Sequence, residues 1–227
     1  MIELETTESQ WDTVRCSWVR FLALLLLVLS ACSSASDAAV LETPSTISAP
    51  IQISLSLYVV DDVESGQDSS LSSQRTLAEI DDIAAAMRAI WKQAGIELVV
   101  KTIERIASPS DVLIALDQGD TASFLNAAFA GVITIPGAAT INGFYVRTLG
   151  TVNGVAPLGT RTFFVTDQPS VHDERVSSHE IGHILGLHHT TDDSGRLMFS
   201  GTNGMELSEA EIGTASYTAQ GILDGNR

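Results

Sequence analysis

Along residues 51–59 apolar and polar positions alternate: Ile51, Ile53, Leu55, Leu57 and Val59 fall between Gln52, Ser54, Ser56 and Tyr58. A period of two predicts a half-buried strand. Thr76 and Glu79 then stand three apart ahead of an apolar run, the pattern of a capping box. Behind them Leu77, Ile80, Ile83, Ala84, Met87, Ile90 and Trp91 recur at helical spacing, and Gly95 is placed to end the helix. Met87 and Trp91 read as core residues on that face. Residues 96–103 read as a second strand, 111–116 and 121–130 as short helical pieces, and 141–149 and 161–166 as further strands. Between the last two runs a glycine-rich, irregular stretch at 150–159. A helix is expected from Asp173, with Asp173 and Glu174 in a first turn that the helix dipole favours. Ser208 and Glu211 form a second capping box, opening a C-terminal helix that turns Leu207, Ile212, Ala215 and Ala219 inward. Strands and helices mixed in this order predict an α+β domain.

The N-terminus has a different pattern. Residues 21–29 are an apolar run preceded by Arg15 and Arg20, the order of a secretory signal and too short to span a bilayer. Leu29-Ser30-Ala31-Cys32 resembles the bacterial lipobox, which implies cleavage before Cys32 and a lipid on its sulfur. Residues 1–31 are thus expected to be a signal peptide, 32–50 a tether rich in Ser, Ala, Thr and Pro, and 51–227 the folded domain. An ordinary signal cut near Ala31 or Ala35 is the alternative, and would leave a secreted protein. Glu3, Glu5, Glu8 and Asp12 put acidic charge where a signal wants none, so translation is expected to start at Val14 or Val19.

Charge and cysteine count narrow the function. The net charge of −16 argues against nucleic acid and against an anionic membrane surface as partners. Membrane association is expected through the lipid anchor alone, at a bacterial cell envelope, and the protein is expected to be a monomer. Cys16 and Cys32 both lie in the N-terminal segment, so residues 51–227 have no disulfide, thiolate ligand or cysteine nucleophile.

All five histidines fall between His172 and His189. His179 and His183, four apart on a helix, project from one face and can bind one metal ion. Glu180 lies beside that ion, where it can accept a proton from the water a metal activates. Gly186 can take positive φ, end the helix and turn the chain back, bringing His189 in as a third ligand. Three histidines with one open position describe a catalytic Zn2+ site. His188 competes with His189 for the third place, and Glu206, Glu209 and Glu211 are candidates if the third ligand is instead a carboxylate. His172 is expected to be exposed or satisfied elsewhere. Gly182 inside the helix costs about 1 kcal/mol relative to alanine, which suggests close approach of another backbone beneath the metal.

The run H-E-x-x-H-x-x-G-x-x-H over residues 179–189, followed by Met198, resembles the metzincin zinc endopeptidases of matrixin-like type. The resemblance implies a zincin fold: a mixed twisted sheet, a long helix behind it, the active-site helix, a Met-turn at Met198 and a C-terminal helix. It implies that Met198 packs as a hydrophobic floor beneath the zinc, and that an antiparallel edge strand near residues 152–158 lines the cleft and pairs with an extended protein or peptide substrate. Ser200 stands where astacins and serralysins have a tyrosine ligand, so none is expected. The acidic stretch 61–70 offers weak support for Ca2+, since loops in some metzincins hold it; a solvated turn is the plainer reading. The expected function is zinc-dependent endopeptidase activity with Glu180 as general base. The alternative is a non-catalytic, zinc-binding surface lipoprotein of the same fold.

Overall fold

The computed structural model describes residues 49–137 and 139–225. The expected signal peptide, Cys16, Cys32, the two candidate start positions and the expected tether up to residue 48 lie outside the described residues.

The chain begins with strand β1 (Ile51–Asp62), helix α1 (Leu77–Trp91), a 3-10 turn at Lys92–Ala94 and strand β2 (Ile96–Ser108). Two short helices follow, α2 (Ser110–Asp117) and α3 (Thr121–Phe129). Strands β3 (Ile141–Val146), β4 (Gly154–Val155) and β5 (Thr162–Thr166) lead to helix α4 (Asp173–Ile184), and helix α5 (Glu209–Leu223) ends the described fold. The strands form one sheet in the order β2-β1-β3-β5-β4. The pairs β1–β2, β1–β3 and β3–β5 are parallel. β4 alone is antiparallel, pairing with β5 at the sheet edge.

β1 departs from the expected half-buried strand. From Leu55 to Val60 every residue is buried, because parallel strands carry their connections over both faces. Ile53, Leu55, Leu57 and Val59 join a core with α1, α4 and α5. Tyr58 and Val60 join a second core with Leu113 and Leu116 of α2 and Phe124 of α3. The polar positions are covered too, by the loop before β3. Ser54 bonds Thr140 at 2.8 Å, Ser56 donates to the Gly137 carbonyl at 2.7 Å, and the Tyr58 hydroxyl donates to Pro136 at 2.7 Å. A period of two reports which side chains need hydrogen-bond partners, and here protein supplies them in place of water.

Both capping boxes form as their sequences predict. Met87 and Trp91 are fully buried, whereas Leu77 at the helix start stays exposed. β2 runs to Ser108, beyond the 96–103 anticipated, because its outer half continues to pair with β1. β3 stops at Val146, short of the expected 149. Most of the acidic stretch is an exposed turn, as expected, but Asp61 and Asp62 belong to the end of β1 and are held by protein groups. Arg105 holds Asp61 with two hydrogen bonds, and the buried Asp62 carboxylate accepts from Ser69, Ser110 and the Glu64 amide.

The start of α4 is anchored to the segment before α1. Arg75 pairs with Asp173 in the first turn of α4 and donates to the Asp167 carbonyl. The Asp167 carboxylate in turn accepts from Ser73 and the Gln74 amide. α4 then lies under β5 and β4, with α1 along its other side.

Candidate active site

Helix α4 carries His179 and His183 one turn apart, as their spacing predicts. It ends in a Schellman motif. Gly186 adopts φ 83°, its amide reaches the His183 carbonyl at 3.1 Å, and the Leu187 amide reaches Gly182 at 2.8 Å. Leu187 is buried at the turn. The reversal places His189 opposite the helix. Its Nε2 is 3.0 Å from Nε2 of His179 and 3.2 Å from Nε2 of His183.

The donor set suits a metal cation. Nδ1 of His179 lies 2.8 Å from the Leu197 carbonyl, and Nδ1 of His183 lies 3.0 Å from the Leu187 carbonyl. A carbonyl only accepts, so both Nδ1 atoms carry the proton and both Nε2 atoms present lone pairs toward His189. A single Nε2 proton on His189 satisfies one of them at most. Zn–N bonds of about 2.0–2.1 Å in a tetrahedron set the nitrogens about 3.3 Å apart, close to the spacing here. Burial pushes the His179 pKa down to about 3 and lowers that of His183, keeping both in the neutral form that ligates. Among the described residues this triad is the group of histidine and carboxylate atoms arranged to hold an ion.

Glu180 is buried beside the triad. Burial pushes its pKa up to about 7, opposed by the positive charge of Arg175 and by a hydrogen bond from the Ala156 amide. A carboxyl group poised there can take and give a proton near neutrality. Ala156 follows directly on β4, and Gly154 within β4 crosses α4 at this point. A Cβ on Gly154 would lie 2.8 Å from Val176 Cγ1 and 3.0 Å from both Glu180 Cγ and the Phe164 carbonyl oxygen. The edge strand approaches the helix this closely only because residue 154 has no side chain.

Met198 is fully buried, its Sδ against Gly182 of α4. A Cβ on Gly182 would stand 2.6 Å from its Sδ. Here the sequence-based expectation needs correction: Gly182 makes room for a side chain, not for a neighbouring backbone.

A cleft of about 400 Å³ opens over Glu180, His183 and His189, bounded by Gly154, Val155, Ala156 and Leu158. Residues 154–156 and 158, within the stretch expected to line a cleft, thus line this one. A smaller cavity of about 190 Å³ sits beside His183, between residues 156–161 and Thr218 and Ile222 of α5.

The remaining candidates lie elsewhere. His188 is exposed at the cleft wall and does not join the triad. His172 is the N-cap residue of α4, its ring 3.8 Å from Glu174. Glu211 is engaged by Arg196 and Ser208, and neither it, Glu206 nor Glu209 joins the triad. Three participants escaped the sequence reading: Arg175, Gly154 and the Ala156 amide. Arg175 had a legible signal, since it precedes His179 by one helical turn. The other two depend on where the edge strand crosses the helix, which no local pattern records.

No protein-family model matches the sequence, and a search of curated proteins found no match. Solved structures do resemble it. The archaemetzincin of Methanopyrus kandleri superposes with a TM-score of 0.54 at 16% identity, over 75% of this chain and 97% of that one. Metalloproteinase-II of Bacteroides fragilis superposes with a TM-score of 0.49 at 17% identity, over 77% of this chain and 55% of that one. This chain thus spans about half the length of the Bacteroides protein. At such identities the likeness is one of architecture: the protein has an α+β fold similar to that of the archaemetzincin, with a histidine triad gathered on it.

Proposed function

We propose that the protein is a zinc-dependent endopeptidase of metzincin type. The observation that carries the reading is the convergence of three Nε2 atoms beside a buried glutamate, under an antiparallel edge strand. His179, His183 and His189 would hold the ion, with Gly186 directing the third of them. Zinc held there would supply Lewis acidity to the scissile carbonyl and lower the pKa of a coordinated water toward about 7.

Glu180 takes the proton of the attacking water and returns it to the leaving amine. The Ala156 amide and the Gly154 crossing fix the direction in which its carboxyl group points. A substrate in extended conformation adds to the outer edge of β4 by main-chain hydrogen bonds. Exposed Val152 and Leu158 on either side of β4 offer it apolar contact. The cavity beside His183 seats one substrate side chain. Met198 closes the site from below as packing, and is not a ligand.

The lipobox-like run ending at Cys32 supports export and a lipid anchor at the bacterial cell envelope, with the domain on a tether. Mass spectrometry of the mature N-terminus tests this: an acylated Cys32 is expected, and an unmodified residue 32 inside a longer chain refutes it.

Activity is tested by incubating a denatured protein with the full chain and with Glu180→Ala, each with and without a zinc chelator. Cleavage by the wild type alone, abolished by the chelator and by the substitution while the variant still binds zinc, is the expected result. Zinc bound stoichiometrically without cleavage by either protein would favour the non-catalytic binding protein instead.

A further inference from the structure

Arg175 lies on α4 one turn before His179 and is 4% exposed. Burying a guanidinium costs several kcal/mol unless its donors are well used, and this one sits close to a group of histidines that is to receive a cation. Its partners are specific. Nη2 donates to the Leu197 carbonyl at 2.9 Å and also to the Phe199 carbonyl. These two carbonyls flank Met198. The carbonyl between them, that of Met198, accepts from the amide of Thr190 at 3.0 Å, the residue that follows His189. The Leu197 carbonyl is also the acceptor for Nδ1 of His179, at 2.8 Å.

The turn at Met198 is therefore a hub. One carbonyl orients the first histidine, the next holds the strand that carries the third, and one arginine grips the outer two. Nε of Arg175 is buried without a partner, so the residue is not placed to satisfy itself. An apolar side chain of similar length would fill the same space without the desolvation cost, but would leave the two carbonyls ungripped.

We infer that Arg175 is a positioning residue for the metal site: it holds the Leu197 carbonyl where that oxygen fixes the tautomer and ring orientation of His179. The inference rests on the metal-site reading above, and goes beyond it by assigning the groups that aim the ligands. Partners one step outside a metal's ligands contribute about 10–100-fold to affinity, and a loss of that size is expected when the arginine is removed. Lysine keeps the charge and enough donors for both carbonyls, but its ammonium ends one bond short of Nη2, the one nitrogen that meets them both. It should restore part of the loss.

The test compares zinc affinity, by competition with a chromophoric chelator, in the full-length wild type, Arg175→Met, Arg175→Lys and Phe124→Leu. The last is a core variant in the opposite layer that lowers stability without touching the site. The Nδ1–H signal of His179 is followed in the zinc-loaded proteins by 15N-histidine NMR. Arg175→Met should bind zinc about 10–100-fold more weakly with that signal shifted, Arg175→Lys should fall between it and the wild type, and Phe124→Leu should match the wild type. Native affinity and an unmoved signal in folded Arg175→Met would overturn the inference, as would equal weakening in Phe124→Leu or no rescue by lysine. If the wild type itself takes up no zinc, the metal-site reading fails first and on different data.

Discussion

Glu180 is enclosed by its neighbours. Gly154 brings the edge strand against its side chain, and the Ala156 amide meets its carboxyl group. Burial moves its pKa from an ordinary 4.5 up to about 7, against the lowering by Arg175 and the Ala156 hydrogen bond, and the sign of the consequence for stability is fixed. Between those two values the folded, metal-free protein keeps a proton that the unfolded chain has lost. Stability contributed by this group is therefore present below 4.5 and lost as pH rises through about 7. Glu180→Gln lacks the titration, while the histidine contributions are common to both proteins and cancel in the comparison. Urea unfolding in the presence of a chelator should show the wild type losing ground to Glu180→Gln from pH 4.5 to pH 7.5, by at most about 3 kcal/mol. A difference that does not change with pH would mean that water reaches the carboxylate.

At the scale of elements, the helices and their ends were the most legible part of the chain. Capping boxes and helix-ending glycines act through the backbone of a few neighbouring residues, so their signals are local: Thr76, Ser208, Gly95 and Gly186 stand where their motifs require. Histidines 179 and 183 shared a face for the same reason. What could not be read was anything set by a partner distant in sequence. The burial of β1 on both faces depends on a loop 78 to 86 residues later, and the extra length of β2 depends on its pairing with β1. The Gly182 pocket depends on Met198, beyond the helix itself. Gly186 permits a direct test at this scale. Alanine at φ 83° costs about 1–2 kcal/mol, and any relaxation of the turn swings His189 away from its partners. Gly186→Ala should unfold earlier and bind zinc more weakly than the wild type, with Gly186→Asn closer to native because asparagine tolerates this conformation. Thermal scans and zinc titration of the three proteins would check it. Equal affinity in all three would show that the turn does not aim the ligand.

On the scale of the whole molecule, two apolar cores flank one sheet. The histidines belong to the layer that holds α1, α4 and α5, with Met198, Leu187 and Leu197 in its core. A ligand that binds only the folded form should stabilise the entire domain. Zinc at a hundred times its dissociation constant adds about 2.7 kcal/mol, which for a domain of this size raises Tm by about 5–10 °C. His189→Ala should abolish most of that rise while leaving the metal-free Tm nearly unchanged, since residue 189 is exposed. A rise that persists in the variant would place the ion elsewhere.

The order of the parts along the chain has a consequence for biogenesis. The ligands, the glutamate, the edge strand and the arginine that grips the turn all lie between Gly154 and Phe199, after β1, α1, β2 and β3. Folding during synthesis proceeds from the N-terminus at about 5–20 residues per second. Three parallel strands and their helices can therefore assemble while the cleft does not yet exist. A chain still attached to the ribosome carries a scaffold without a site. On the proposed function, the machinery that handles the nascent protein is spared from it until nearly the whole domain has emerged.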